Sequence, residues 1–80
     1  MTEREEHDLI SRVLSGDEHA YRGLVDHYKR YAFTIALKIL DNRAEAEEAA
    51  QDAFIKAFQH LRSFQRQSRF STWLYRLVFN

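Results

Sequence analysis

The sequence predicts an all-α fold, a compact bundle of about four helices, on three observations. The chain holds no proline and only two glycines, Gly16 and Gly23. Ala, Leu, Glu, Gln and Arg, which lose little on entering a helix, are plentiful. Apolar residues recur at intervals of three and four in successive segments separated by capping signals. Eighty residues make one domain, 1–80, with room for one core. A chain of this size buries only about 60 to 65% of its unfolded surface, so its stability is modest.

The first helix is expected from about Glu3 to Ser15, with Leu9, Ile10, Val13 and Leu14 on one stripe. Thr2 and Glu5 have the spacing of a capping box, and Gly16 stands where a C-terminal cap belongs. Asp17 is the N-cap of a longer second helix, whose Ala20, Leu24, Tyr28, Tyr31, Ile35 and Ile39 form its stripe. Phe33, Leu37 and Leu40 make its second half apolar nearly all round, which places it at the centre of the bundle. Asp41 and Asn42 end it, and Asn42 with Glu45 opens a third helix over about Arg43 to Arg62, with a core stripe of Ala46, Ala50, Ala53, Ala57, Phe58 and Leu61. Ser63 to Arg69 loses the periodicity and reads as a loop. Phe70, Trp73, Leu74, Leu77 and Val78 then resume a helical stripe, capped by Ser68 or Ser71. Its apolar pattern is still running at Asn80 with no stop signal, so the natural chain is expected to continue and these residues to be a fragment of it.

The composition weighs against several function classes. Without cysteine there is neither a disulfide scaffold nor a cysteine zinc site. His7, His19, His27 and His60 fall at no metal-ligand spacing, and there is no Gly-rich phosphate loop. The expectation is a binding module rather than an enzyme, with no metal, cofactor or small-molecule substrate. Met1 to Glu6 is polar and acidic, without the basic start and apolar run of a secretory signal, so a cytoplasmic location is expected. The apolar stretch from Tyr31 to Leu40 is about half of what a membrane span needs and contains Lys38, so no membrane insertion is expected.

Formal net charge is +0, yet the charges are not evenly spread. Every Asp and Glu lies before Leu61, whereas Leu61 to Asn80 holds Arg62, Arg66, Arg69 and Arg76 and no acid. Such asymmetry points to two different partners. On the third helix Glu48, Gln51, Asp52, Ile55 and Gln59 share one face beside the core stripe. Spacing alone leaves that face open to two readings, simple solvation or a partner surface. In the tail, arginine forks suited to phosphate alternate with Phe64, Phe70, Trp73, Tyr75 and Phe79 as stacking platforms, a combination that suits single-stranded nucleic acid. Gln65, Gln67, Ser68, Ser71 and Thr72 add neutral groups able to read a base edge. The stripe spacing assigns Trp73 mainly to packing, while Arg69, Thr72, Arg76 and Asn80 lie on another stripe and stay available to a ligand.

The run EAEEAAQDAFIKAFQHLRSF from Glu45 to Phe64, a short polar loop, and RFSTWLYRL from Arg69 to Leu77 resemble region two of bacterial sigma factors of the extracytoplasmic-function (ECF) class. Asp8-Leu-Ile, Gly16-Asp, Ala20-Tyr and Leu24 through Tyr28 fit the same pattern, so the resemblance spans essentially the whole chain. It implies a transcription initiation domain without catalysis. The resemblance assigns Glu48, Gln51, Asp52 and Ile55 to the clamp helices of the RNA polymerase beta-prime subunit. It assigns Arg62, Ser63, Phe64, Gln65, Arg66, Gln67, Ser68, Arg69, Ser71 and Thr72, with Tyr75, Arg76 and Asn80 as additions, to the opened non-template strand of the promoter minus-ten element. An anti-sigma factor is a further implied partner. The aromatic pair that wedges the melting fork in primary sigma factors is here Arg76 and Leu77, which implies a narrower promoter set. The helix-turn-helix that reads the minus-thirty-five element lies outside these residues. The competing reading is a helical module whose basic tail docks on an acidic protein.

Overall fold

The computed structural model describes residues 1–79 and contains four α-helices, α1 (Glu3–Leu14), α2 (Glu18–Leu40), α3 (Arg43–Gln59) and α4 (Phe70–Phe79), with a 3-10 turn at Leu61–Ser63. The all-α bundle expected from the sequence is therefore the fold. Local signals set most of the boundaries. Thr2 Oγ1 accepts from the Glu5 N–H at 3.1 Å while the Glu5 carboxylate accepts from the Thr2 N–H at 3.1 Å, a complete capping box. At the far end of α1 the Asp17 N–H reaches back to the Arg12 carbonyl at 3.0 Å, a closure that needs the positive φ of 104° at Gly16. Asp17 caps α2 by accepting from Ala20 N–H at 3.3 Å, and Asn42 caps α3 by accepting from Glu45 N–H at 2.9 Å. Only that half of the second box forms, because the exposed Glu45 side chain makes no return bond to Asn42.

The core is one cluster drawn from every helix, with Ile10, Leu24, Tyr28, Phe54, Leu61, Phe64, Phe70 and Leu74 as its larger members. It departs from the expected stripes in two places. Beyond Tyr28 the buried positions of α2 are Ala32 and Ala36, while Tyr31 and Ile39 are 39% and 46% exposed. Steps of four from Tyr28 lead to the alanines, and small side chains let α2 and α3 lie close together. The second half of α2 is thus flanked by apolar surface and is not enclosed at the centre: Phe33 and Leu37 are half-buried and Leu40 is exposed. On α3 the buried aromatic is Phe54, whereas Phe58 is 47% exposed and leans on Tyr21 with ring centroids 4.9 Å apart. Tyr21 also donates its hydroxyl to the Phe54 carbonyl, which joins α2 to α3.

The third helix stops at Gln59, short of the expected Arg62, and the chain tightens into the 3-10 turn. In a 3-10 turn positions i and i+3 eclipse, so Leu61 and Phe64 enter the core together. Neither Ser68 nor Ser71 caps α4. The Ser68 hydroxyl points to the Arg69 carbonyl, Ser71 lies within the helix, and the Phe70 N–H is met instead by Glu6 of α1 at 3.1 Å. Among the described residues no helix is long and apolar enough to cross a membrane, and no group of His, Asp or Glu has metal-site geometry.

Candidate nucleic-acid and polymerase interfaces

The outward face of α3 carries Glu48, Gln51, Asp52 and Ile55, all solvent-exposed, so the structure brings these four residues together on one open surface. Ile55 is 56% exposed, the highest exposure among the large apolar side chains. It borders a shallow groove between α2 and α3 whose walls include Tyr21, Val25, Phe54 and Phe58. An exposed apolar side chain beside carboxylates and next to a groove is the surface type that a basic, amphipathic helix can cover.

The second surface begins at the 3-10 turn. Arg62 and Ser63 are exposed, and the Ser63 hydroxyl donates to the His60 carbonyl at 2.7 Å. Gln65 and Gln67 are exposed, while Arg66 and Ser68 are half-buried. Arg66 adopts φ 59°, the left-handed region that is unfavourable for a residue with a Cβ. Between this loop and α4 lies a small cavity lined by Ser63, Phe64, Gln65, Gln67, Ser68, Trp73 and Arg76. Its lining supplies hydroxyl and amide groups, an indole edge and one guanidinium. Such a set can hold a planar ring carrying hydrogen-bonding edges, with a phosphate near Arg76. Thr72, Tyr75 and Arg76 are exposed on α4, with Tyr75 against Phe79 at 4.7 Å, and Ser71 is half-buried. Asn80 lies outside the described residues.

Three of the tail residues singled out in the sequence are engaged elsewhere, and of these Phe70 is wholly buried in the core rather than open to stacking. Phe64 is 7% exposed, with Trp73 stacked on its ring and Phe70 in a T-shaped contact at 6.0 Å, so it lines the cavity as part of the core rather than as an open stacking platform. Arg69 turns inward: its Nε donates to Glu6 Oε2 at 3.2 Å and its Nη2 to Glu6 Oε1 at 3.4 Å and to the Met1 carbonyl at 3.4 Å. Glu6 is the residue that sequence reasoning missed. It is 0% exposed, and besides Arg69 and the Phe70 N–H it accepts the Tyr28 hydroxyl. Burial pushes its carboxyl pKa up, but the hydrogen bonds from Tyr28, Arg69 and Phe70 outweigh that and hold it below the usual carboxylate range. The same contact, added to burial, pushes the Tyr28 phenol up to about 12. A signal was present in the spacing, since Glu6 stands four before Ile10 and seven before Val13 on the buried stripe of α1.

This geometry meets the comparisons with known proteins at residues 24–80, which match the family described as sigma-70 region 2. The chain belongs to that family. Over 71 residues it is 42% identical to the ECF RNA polymerase sigma factor SigW of Bacillus subtilis, covering 89% of this chain and 38% of that protein. Over 80 residues it is 36% identical to the RNA polymerase sigma-H factor of Pseudomonas aeruginosa, covering 100% of this chain and 42% of that protein. Over 72 residues it is 36% identical to the ECF RNA polymerase sigma-E factor of Escherichia coli K12, covering 90% of this chain and 37% of that protein. The chain is a sigma region 2 of the ECF class, and it spans about two fifths of the length of these relatives. Sigma factors are non-enzymatic transcription initiation factors.

Proposed function

We propose that this sigma region 2 binds the clamp helices of the RNA polymerase beta-prime subunit through the outward face of α3, and captures the melted non-template strand of a promoter minus-ten element with the loop and α4. The observation that carries the reading is the cavity between Gln65 and Trp73, rimmed by Arg76 and lying in a segment without acidic residues. A base flipped from the duplex costs a few kcal/mol to unstack, which contacts in a pocket and phosphate pairing offset. No bond is made or broken, so strand separation is driven by preferential binding of the open form. Glu48, Gln51, Asp52 and Ile55 support the polymerase half, since they present charge and an apolar anchor on a rigid helix. A protein antagonist, such as an anti-sigma factor, is a second reading of the same surfaces. The exposed Ile55 and Phe58 beside the α2–α3 groove favour it.

Selection from a randomised single-stranded DNA pool tests the DNA half. A short recurring motif should be enriched, bound more tightly than its own duplex, and weakened by Gln65→Ala or by Arg76→Glu. Equal binding of duplex and single strand, or no enrichment, would sink the strand-capture reading. For the polymerase half, Gln51→Ala with Asp52→Ala should reduce capture of a clamp-helix fragment without affecting DNA, and unchanged capture would exclude this face.

A further inference from the structure

The loop that forms the cavity has little structure of its own. Among the described residues no backbone hydrogen bond of the turn and loop type starts or ends within 65–68. Its shape must therefore come from its two ends. One end is Phe64, stacked on Trp73 and in a T-shaped contact with Phe70. The other is Arg69 and Phe70, and both are held by a carboxylate from a helix more than sixty residues away in sequence. Glu6 accepts four donors there, from Tyr28, from Arg69 twice and from the Phe70 backbone, and among the described residues no buried polar side-chain atom is left without a partner. The Arg69 guanidinium is thereby turned away from solvent on this side, with Glu3 at 3.9 Å as a second acid. The side chain keeps 39% of its area exposed, and a DNA phosphate reaching it would meet a guanidinium whose charge the buried Glu6 carboxylate already offsets.

We propose that Glu6 is a positioning residue for the base-capturing loop, and that Arg69 acts through Glu6 to set that loop rather than by contacting a DNA phosphate. The carboxylate does this in two ways. It supplies the hydrogen-bond acceptor that starts α4 at Phe70, and it fixes Arg69, the residue at which the loop ends. Tyr28 completes the arrangement by carrying the same carboxylate into the core, where its ring lies 5.4 Å from that of Phe70. The α1 helix, which offers no residue to the cavity, thus shapes the cavity from behind.

The inference rests on the strand-capture reading, and the experiment separates the two. Glu6→Gln, Arg69→Gln, the double variant and Tyr28→Phe are made in the 80-residue chain. Binding to the selected single-stranded oligonucleotide is followed across a salt series, with clamp-fragment capture in parallel. Because the two side chains work as one unit, each single variant of the pair should lose about tenfold in affinity and the double variant no more than either. The slope of log affinity against log salt should stay at the wild-type value in all of them. A phosphate role for Arg69 would lower that slope by about 0.7 in Arg69→Gln while Glu6→Gln binds normally, and this would overturn the proposal. A parallel loss of clamp capture would overturn it too, since it would mark general unfolding. Should Glu6→Gln not fold, Tyr28→Phe decides: reduced DNA affinity with intact clamp capture supports positioning, and unchanged affinity refutes it. If the wild-type chain selects no oligonucleotide, the strand-capture reading fails by itself. The positioning claim is then read from Trp73, the single tryptophan of the chain, which lines the cavity. Its emission shifts in Arg69→Gln and Tyr28→Phe if Glu6 sets the loop, and is unchanged if it does not.

Discussion

Phe64 and Trp73 stack with ring centroids 4.9 Å apart and an interplanar angle of 24°, so the loop that follows Phe64 leaves the core from a fixed aromatic base. The pair explains why an aromatic within a basic, polar segment is not itself a surface group: Phe64 has only 7% of its area exposed. Phe64→Ala removes a buried ring and should cost about 3 kcal/mol, which for a domain this small lowers the thermal midpoint by more than about 10 °C. Phe64→Leu should lose much less. Thermal unfolding followed by circular dichroism checks both. An unchanged midpoint with reduced DNA affinity would instead make Phe64 a base-stacking group.

Glu6 predicts a specific acid sensitivity. Its folded-state pKa is depressed, so its contribution to stability is complete above the unfolded carboxyl value of about 4.3 and is lost as pH falls from there through the folded value. Urea midpoints should therefore decline as pH drops below about 4.5. Glu6→Gln should be the less stable protein at neutral pH, and its decline over the same acid window should be shallower. Parallel curves for the two proteins would show that Glu6 is not the titrating group.

Arg66 sits at φ 59° in the loop, where glycine is at ease and arginine is not. Arg66→Gly should raise stability by roughly 0.5 to 1 kcal/mol, because relief of the left-handed strain exceeds the added freedom of the unfolded chain. The same change removes a guanidinium from the edge of the proposed DNA surface, so single-strand affinity should fall and the salt slope drop by about 0.7. Chemical denaturation and a salt titration on one variant then move in opposite directions. Stability that falls along with affinity would contradict the strain argument.

Gly23 lies inside α2, and a Cβ added there would meet the Leu9 methyls at 3.7 and 3.8 Å, an ordinary contact. Gly23→Ala should therefore stabilise the bundle by about 0.5 to 1 kcal/mol through helix propensity. The thermal midpoint should rise by a few degrees, with DNA and clamp binding unchanged because Gly23 borders neither proposed surface. A drop in midpoint would mean that Leu9 cannot accept the methyl group.

Helix number, order and caps were legible in the sequence because they are set by near neighbours. Thr2 with Glu5, Asp17 with Ala20 and Asn42 with Glu45 act over three residues, and the positive φ at Gly16 is a property of one. The exposed face of Glu48, Gln51, Asp52 and Ile55 was legible for the same reason, since helical spacing alone puts them together. What a stripe buries was less so. Tyr28 could be followed by Tyr31 or by Ala32, and the choice went to Ala32 because the α2–α3 contact favours small side chains.

By itself, then, the sequence determined the four-helix architecture, the separation of an acidic helix from a basic tail, and the match to sigma region 2. Tertiary structure alone decided the fate of individual tail residues. Phe64 became core and Arg69 became the partner of Glu6, pairings that span 63 residues for the second and depend on how α1 and α4 meet. A guanidinium looks the same in the sequence whether it faces phosphate or a buried carboxylate. The difference is the cost of leaving Glu6 charged and unpaired inside the core, which arises only once the helices have closed around it.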